Sequence, residues 1–213
     1  AASGPAPGIR DLFRGEVRRT TLLAILLCSL SLTGWWAFLF WNPQHVRNLP
    51  DVAAWTHERR EGFVTMIFFL IVAVSIAGNF FAGLLAKLLG YRRGIALMCA
   101  GFFACFVGAF ATTRGHLGII PWFSAIGFFS GVFGLFTMYL PPLFPTLLRT
   151  TGAGFSYNIG RIAAAVGTVV FGLFSNVGDF RKALLLGGML LLPAAIIALF
   201  MPEAAPAGEA GTR

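Results

Sequence analysis

Three polar side chains, Tyr157, Asn158 and Arg161, sit inside an otherwise apolar run in the last third of the chain. An arginine stays protonated at any physiological pH and presents five donors in a rigid fork, so its counterpart is a carboxylate, a phosphate or another anion. A cation within an apolar run is costly and by default marks a functional site. At 100° per residue, Tyr157, Arg161, Thr168 and Ser175 fall in a stripe roughly 60° wide, with Asn158 at its edge. Arg161 lies nine residues beyond Gly152, hence about 14 Å along a helix and close to the middle of a ~30 Å hydrocarbon layer. Such a stripe needs water, a partner or a ligand. The structural alternative is an Arg161 tied to helix-end carbonyls or to a carboxylate from elsewhere.

Other chemistries find less support. Ser130-Gly131 places a hydroxyl beside a glycine, but the residue two before is Phe128 and no apolar run holds a histidine to act as base. No catalytic residue is therefore assigned, and no enzyme is expected. His45 and His57 lie in a polar stretch without a third spaced ligand, which argues for a solvated loop and no metal. Cys28, Cys99 and Cys105 fall in apolar runs without CxxC spacing and read as buried free thiols. No cofactor is implied.

The elements that must hold the stripe are membrane spans. Of 213 residues, 57% are hydrophobic and only 11% charged, against about 25% charged in a soluble domain, and mean hydropathy is +0.80. The expectation is an all-α polytopic membrane protein with six transmembrane helices at about residues 20–40, 63–86, 95–113, 118–140, 152–175 and 183–201. A basic linker (1–19) precedes them and a disordered tail (202–213) follows. Arg10, Arg14 and Arg18 are spaced to share one face of a short helix at the head groups. The first span ends among Trp35, Trp36, Phe38, Phe40 and Trp41. The two adjacent tryptophans cannot face the same way, so one is free to look into the bundle while the others form an interfacial belt. Residues 41–62 form the longest loop, with Asp51 as N-cap of a short helix. Gly127, Gly131 and Gly134 make a small-residue face in the fourth span, suited to close packing.

The net charge of +8 is placed mainly between apolar runs, where it orients helices and meets lipid head groups, which excludes a nucleic-acid partner. The termini and the turns after spans two and four carry nine Lys and Arg, the other side six. That bias predicts both termini in the cytoplasm.

Two motifs give the chain a resemblance. The turn Gly83 to Arg93, GLLAKLLGYRR, is similar to the G-x-L-a-D-r-x-G-r-[RK] turn of major facilitator superfamily transporters at Gly83, Leu85, Ala86, Gly90 and Arg92. The segment Pro141 to Gly152, PPLFPTLLRTTG, resembles the P-E-x-[FY]-P-T-x-x-R-x-T-G segment of the superfamily's sugar-porter-like and metabolite–proton-symporter-like members. With six spans in this order, the chain looks like the C-terminal six-helix half of such a transporter. The resemblance implies a secondary carrier of a small organic solute, an organic anion or a sugar-like metabolite, working by alternating access in the inner membrane. It implies a substrate lining of Trp36, Tyr139, Tyr157, Asn158 and Arg161, with first and fourth helices at the cavity and third and sixth outside. It also implies gating roles for Gly83, Lys87, Gly90, Arg92, Arg93, Arg149 and Gly152.

The partners implied are the solute, membrane lipids and an N-terminal six-helix half, attached upstream or supplied by a second copy. Lys87 and Pro142 stand where the motifs have carboxylates, so Arg92, Arg93 and Arg149 are expected to lack partners and the lock at this end to be weak. A non-transporting receptor or scaffold is the alternative. Every Asp and Glu falls outside the spans, so any proton-coupling carboxylate must lie in another part of the protein.

Overall fold

Apolar runs of this length bury their backbone polar groups in helices, since no water is present in a bilayer core to satisfy them. The computed structural model describes residues 8–175 and 180–203. It is all-helical: α1 (Val17–Arg47), α2 (Pro50–Ala53), α3 (His57–Leu89), α4 (Tyr91–Phe110), α5 (His116–Phe129), α6 (Val132–Tyr139), α7 (Arg149–Ser175), α8 (Phe180–Met189) and α9 (Leu191–Phe200). Among the described residues six spans are long and apolar enough to cross a membrane: α1, α3, α4, α5 with α6, α7, and α8 with α9. The described ends of the chain therefore share one end of the bundle, called here the terminal end.

Several helices run further than their apolar cores. The stretch expected to be a loop from residue 41 is helical to Arg47, through Pro43. Tertiary burial overrides the proline: Phe38, Asn42, His45 and Val46 form one buried helical face, and the His45 ring meets Phe110 edge-on at 5.3 Å. His45 is thus a core residue and not a solvated one. α3 likewise starts at His57, and its first turns are fastened to the end of α1 by a bidentate Arg47–Glu61 pair at 2.8 and 2.7 Å.

Asp51 does not cap its own short helix, whose N-cap is Leu49. Its carboxylate accepts the backbone N–H of His116 at 2.7 Å and contacts the ring Nδ1 at 2.6 Å, so it caps α5. Desolvation works against the charged carboxylate, but the His116 hydrogen bonds outweigh it and hold the Asp51 pKa below its usual value.

At the terminal end the expected arginine face is absent. Residues Ile9–Phe13 make a single 3-10 turn, Gly15 takes a left-handed φ of 54°, and α1 begins afresh at Val17. Leu12 is buried against Phe144 and Leu148, which pins this lead onto the segment between α6 and α7.

Two spans break. The fourth divides at Ser130-Gly131, where Gly131 lies against the backbone of Gly78 on α3 and a Cβ on either would collide with the other span. The sixth divides at Leu190, three residues before Pro193, whose ring disfavours the helical carbonyl four positions back. Close approach is general in this bundle, as expected where lipid removes the hydrophobic drive between helices and packing must supply the attraction. Gly127 and Gly131 seat the fourth span on α3, whereas Gly160 and Gly167 on α7 receive Cys28 and Thr33 of α1. The core is aromatic: Phe38, Phe102, Phe106, Phe110 and Phe123 are fully buried, with Phe38 edge to face against Phe106, Phe110 and Phe123 and Phe102 tilted against Phe106. The three cysteines are free and buried.

Candidate functional site

α1 and α7 lie together along their length, but part of the way along they part to leave an open groove of about 390 Å³. One wall is Trp36, Phe40 and Trp41 of α1; the other is Arg161, Ala164, Ala165, Thr168 and Val169 of α7. The spacing explains the composition. Trp36 and Phe40 are four residues apart and share a face, as do Arg161, Ala165 and Thr168. Ala164 and Ala165, being small, set the depth.

The polar atoms of the groove are mostly engaged. The Trp41 indole N–H donates to the Thr168 carbonyl at 3.0 Å, and the Thr168 hydroxyl donates to the Ala164 carbonyl at 2.8 Å. Arg161 is different. It is exposed, it is the only charged residue of the lining, and among the described residues it makes no hydrogen bond or ion pair. It stands twelve residues into the 27-residue α7, about 18 Å from its start. A guanidinium so placed, facing one aromatic wall, can take a carboxylate in bidentate fashion while the rings cover an apolar body.

The sequence-predicted residues separate into three places. Trp36 and Arg161 meet in the groove, and Trp35, facing the other way, stacks on Phe38. Tyr157 and Asn158 lie about one turn back along α7. Tyr157 packs partly against the core, and the Asn158 amide donates to the Gly154 carbonyl at 2.8 Å. Tyr139 is elsewhere: it is fully buried, stacks on Tyr91 at 5.4 Å and donates its hydroxyl to the Pro202 carbonyl. It lines no part of the groove. The side chain of Ser175 falls outside the described residues.

Phe40 and Trp41 were assigned to an interfacial belt in the sequence, although the four-residue step from Trp36 to Phe40 already placed them on one face. The groove lies between the first and fifth spans, of which the resemblance implied the first at the cavity and the fifth flanking it. The glycine face of the fourth span is occupied by α3.

The expected gating residues gather at the terminal end. Gly90, at φ 81°, turns α3 into α4; Gly83 is part-buried and Lys87 exposed. Gly152 is covered by the Phe144 ring. Arg149 is part-buried with its Nε unpartnered, and Arg93 is exposed. Arg92 does not lack a carboxylate, as its motif suggested. Glu203, just after the last helix, comes within 3.3 Å of it, and its second nitrogen donates to the Leu199 carbonyl. The ion pair joins residues 111 positions apart, a separation no local motif could reveal.

No family model matches the chain. Curated relatives do. The chain is 29% identical over 205 residues to a probable 4-methylmuconolactone transporter of Cupriavidus pinatubonensis, an alignment covering 89% of this chain and 45% of that protein. It is 29% identical over 130 residues to the cis,cis-muconate transport protein of Acinetobacter baylyi, covering 60% of this chain and 31% of the relative. In structure it is similar to the inward-open xylose transporter XylE from E. coli, with a TM-score of 0.68 at 16% identity over 86% of this chain and 48% of that one. The chain spans about half the length of the curated relatives it matches, or less. Six spans in this arrangement, the two motifs, the transporter relatives and the shared fold lead to one conclusion: the chain is a relative of the major facilitator superfamily transporters, with homologues of the metabolite–proton-symporter-like and sugar-porter-like kinds.

Proposed function

We propose that this chain is the C-terminal six-helix half of a secondary transporter for a small, planar organic anion. The observation that carries the reading is Arg161, a cation without a described partner, facing an open groove walled by Trp36, Phe40 and Trp41. A neutral sugar would call for several hydroxyl and amide partners, whereas this lining offers one guanidinium and aromatic surface. The names of two relatives fit an anion, since cis,cis-muconate is a dicarboxylate and 4-methylmuconolactone also carries a carboxyl group. In this reading the groove is closed on its open side by a second six-helix bundle, upstream or in a second copy, and rocking of the bundles alternates access to it. Both termini lie in the cytoplasm, the host bilayer is the inner membrane, and no bond of the solute is broken.

Uptake of labelled cis,cis-muconate by cells or vesicles containing the native protein tests this. Saturable uptake that Arg161→Gln abolishes supports it; uptake equal in both disproves the role of Arg161. A receptor that binds without transporting is the second reading. It is favoured by Lys87 and Pro142 at positions the motifs make acidic, and by the Glu203 tether that holds Arg92 within one half. Retained binding without any flux would select it.

A further inference from the structure

α4 and α9 leave a channel of about 390 Å³ between them on the outer surface of the bundle. Its floor is Ala96, Ala100 and Ala195, and Leu97, Ile196 and Leu199 rise as walls, each about half exposed. On α4 the residues Arg93, Ala96, Leu97 and Ala100 share one stripe about 10 Å long. The stripe therefore passes from a charged head at the terminal end to an apolar trough within the span. Alanines here leave a slot that neither helix fills.

The head of the channel is basic. Arg93 is exposed and has no hydrogen bond or ion pair among the described residues. It borders a polar cleft of about 250 Å³ shared with Arg92 and Glu203. Beyond Leu199, Arg92 and Arg19 line a further hollow of about 320 Å³. Arg92 and Arg93 thus border one carboxylate, with Arg19 in the adjoining hollow, and that carboxylate is already engaged by Arg92, so positive charge is in excess among the described residues here.

We infer that this channel and its arginine rim bind an anionic phospholipid, with an acyl chain in the alanine trough and the phosphate at Arg93. Acyl chains are exchangeable in a bilayer, so selection must come from the head group. Basic pockets between spans at the head-group level act in this way. A zwitterionic lipid fits the trough but its amine cancels the benefit of the rim, and a soluble anion has no use for the trough. Under the orientation proposed above, the site faces the cytoplasmic leaflet. A lipid held there joins the third and sixth spans beside the Gly90 turn.

The test is native mass spectrometry of the whole native protein in detergent, with equimolar phosphatidylglycerol and phosphatidylcholine of matched chains. The wild type retains phosphatidylglycerol preferentially, and Arg93→Gln lowers that preference about fivefold. Ala96→Leu with Ala100→Leu fills the trough and lowers retention of both lipids with Arg93 in place. Equal preference in the wild type and Arg93→Gln overturns the inference. So does displacement of phosphatidylglycerol by inorganic phosphate alone, which would make this a soluble-anion site. Arg93→Gln changes an exposed residue, so it decides the matter even if the leucine pair fails to fold.

Discussion

Trp35 and Trp36 are adjacent on α1, about 100° apart, and they open onto regions built in opposite ways. Behind Trp35 the rings of Phe38, Phe102 and Phe133 each lie 5.9 Å away, and Phe38 passes the contact on to Phe106, Phe110 and Phe123. In front of Trp36, which is 45% exposed, are open space, two small alanines and a guanidinium without a counter-charge among the described residues. The first region is complete within six helices. The second is open, with a cation that has no ion pair among the described residues. Closure marks what holds the bundle together, and the open groove is where the proposed function places the solute.

The sharpest way to break this contrast is to exchange the expected consequences. Phe38→Ala removes the centre of the closed region and should lower stability by about 3–5 kcal/mol, seen as a lower melting temperature of the purified native protein, while muconate affinity in the folded fraction is kept. A wild-type melting curve would mean that the rings are not the scaffold. Arg161→Gln should do the reverse: stability stays within about 0.5 kcal/mol, and affinity for cis,cis-muconate falls about ten- to a hundredfold with the charged hydrogen bonds. If Arg161→Gln instead unfolds the protein and leaves affinity intact, Arg161 is structural.

The tryptophan pair refines the contrast within one helical turn. Trp36→Ala should weaken muconate binding several-fold, the size of one lost aromatic contact, whereas Trp35→Ala should act on melting and not on binding. The smallest effect is expected at the far end, where Asp51 caps α5. Its carboxyl pKa is lowered in the folded protein, so its stabilising contribution is full above the unfolded value of about 3.9 and is lost as pH falls through the folded value below it. Asp51→Asn should melt earlier than wild type at neutral pH. The gap should close on acidification below about pH 4, and a gap independent of pH would remove the charge from the explanation.

Much of the architecture was legible because a bilayer imposes a simple code. Six apolar runs became six spans, and the cysteines within them became inert core. The glycines at 127 and 131 became a helix contact, because small residues have little other use on a helix face. The stripe through Arg161 was legible for the same reason, as one charge in a long apolar run stands out. What could not be read depended on distant partners. The helix continues through Pro43 because a buried face elsewhere in the fold holds it. The break at Ser130-Gly131 exists because α3 presses against it, and Arg92 finds Glu203 across 111 residues. Tyr139 entered the lining because the resemblance puts the fourth span at the cavity; only the fold shows Tyr91 stacked on it.

The most direct test asks whether the groove holds water or lipid. Cys28, Cys99 and Cys105 are buried, so a cysteine placed at the exposed groove residue Ala165 would be the reactive thiol among the described residues. The measurement is labelling of Ala165→Cys in the native protein, in membrane vesicles, by a charged thiol reagent that does not partition into lipid. Labelling above the wild-type background that cis,cis-muconate slows is the predicted result, since the groove is then a solute-accessible surface. No labelling, where a cysteine at the solvent-facing position His57 reacts fully, would put the groove against lipid and contradict the assignment of Arg161 to the solute.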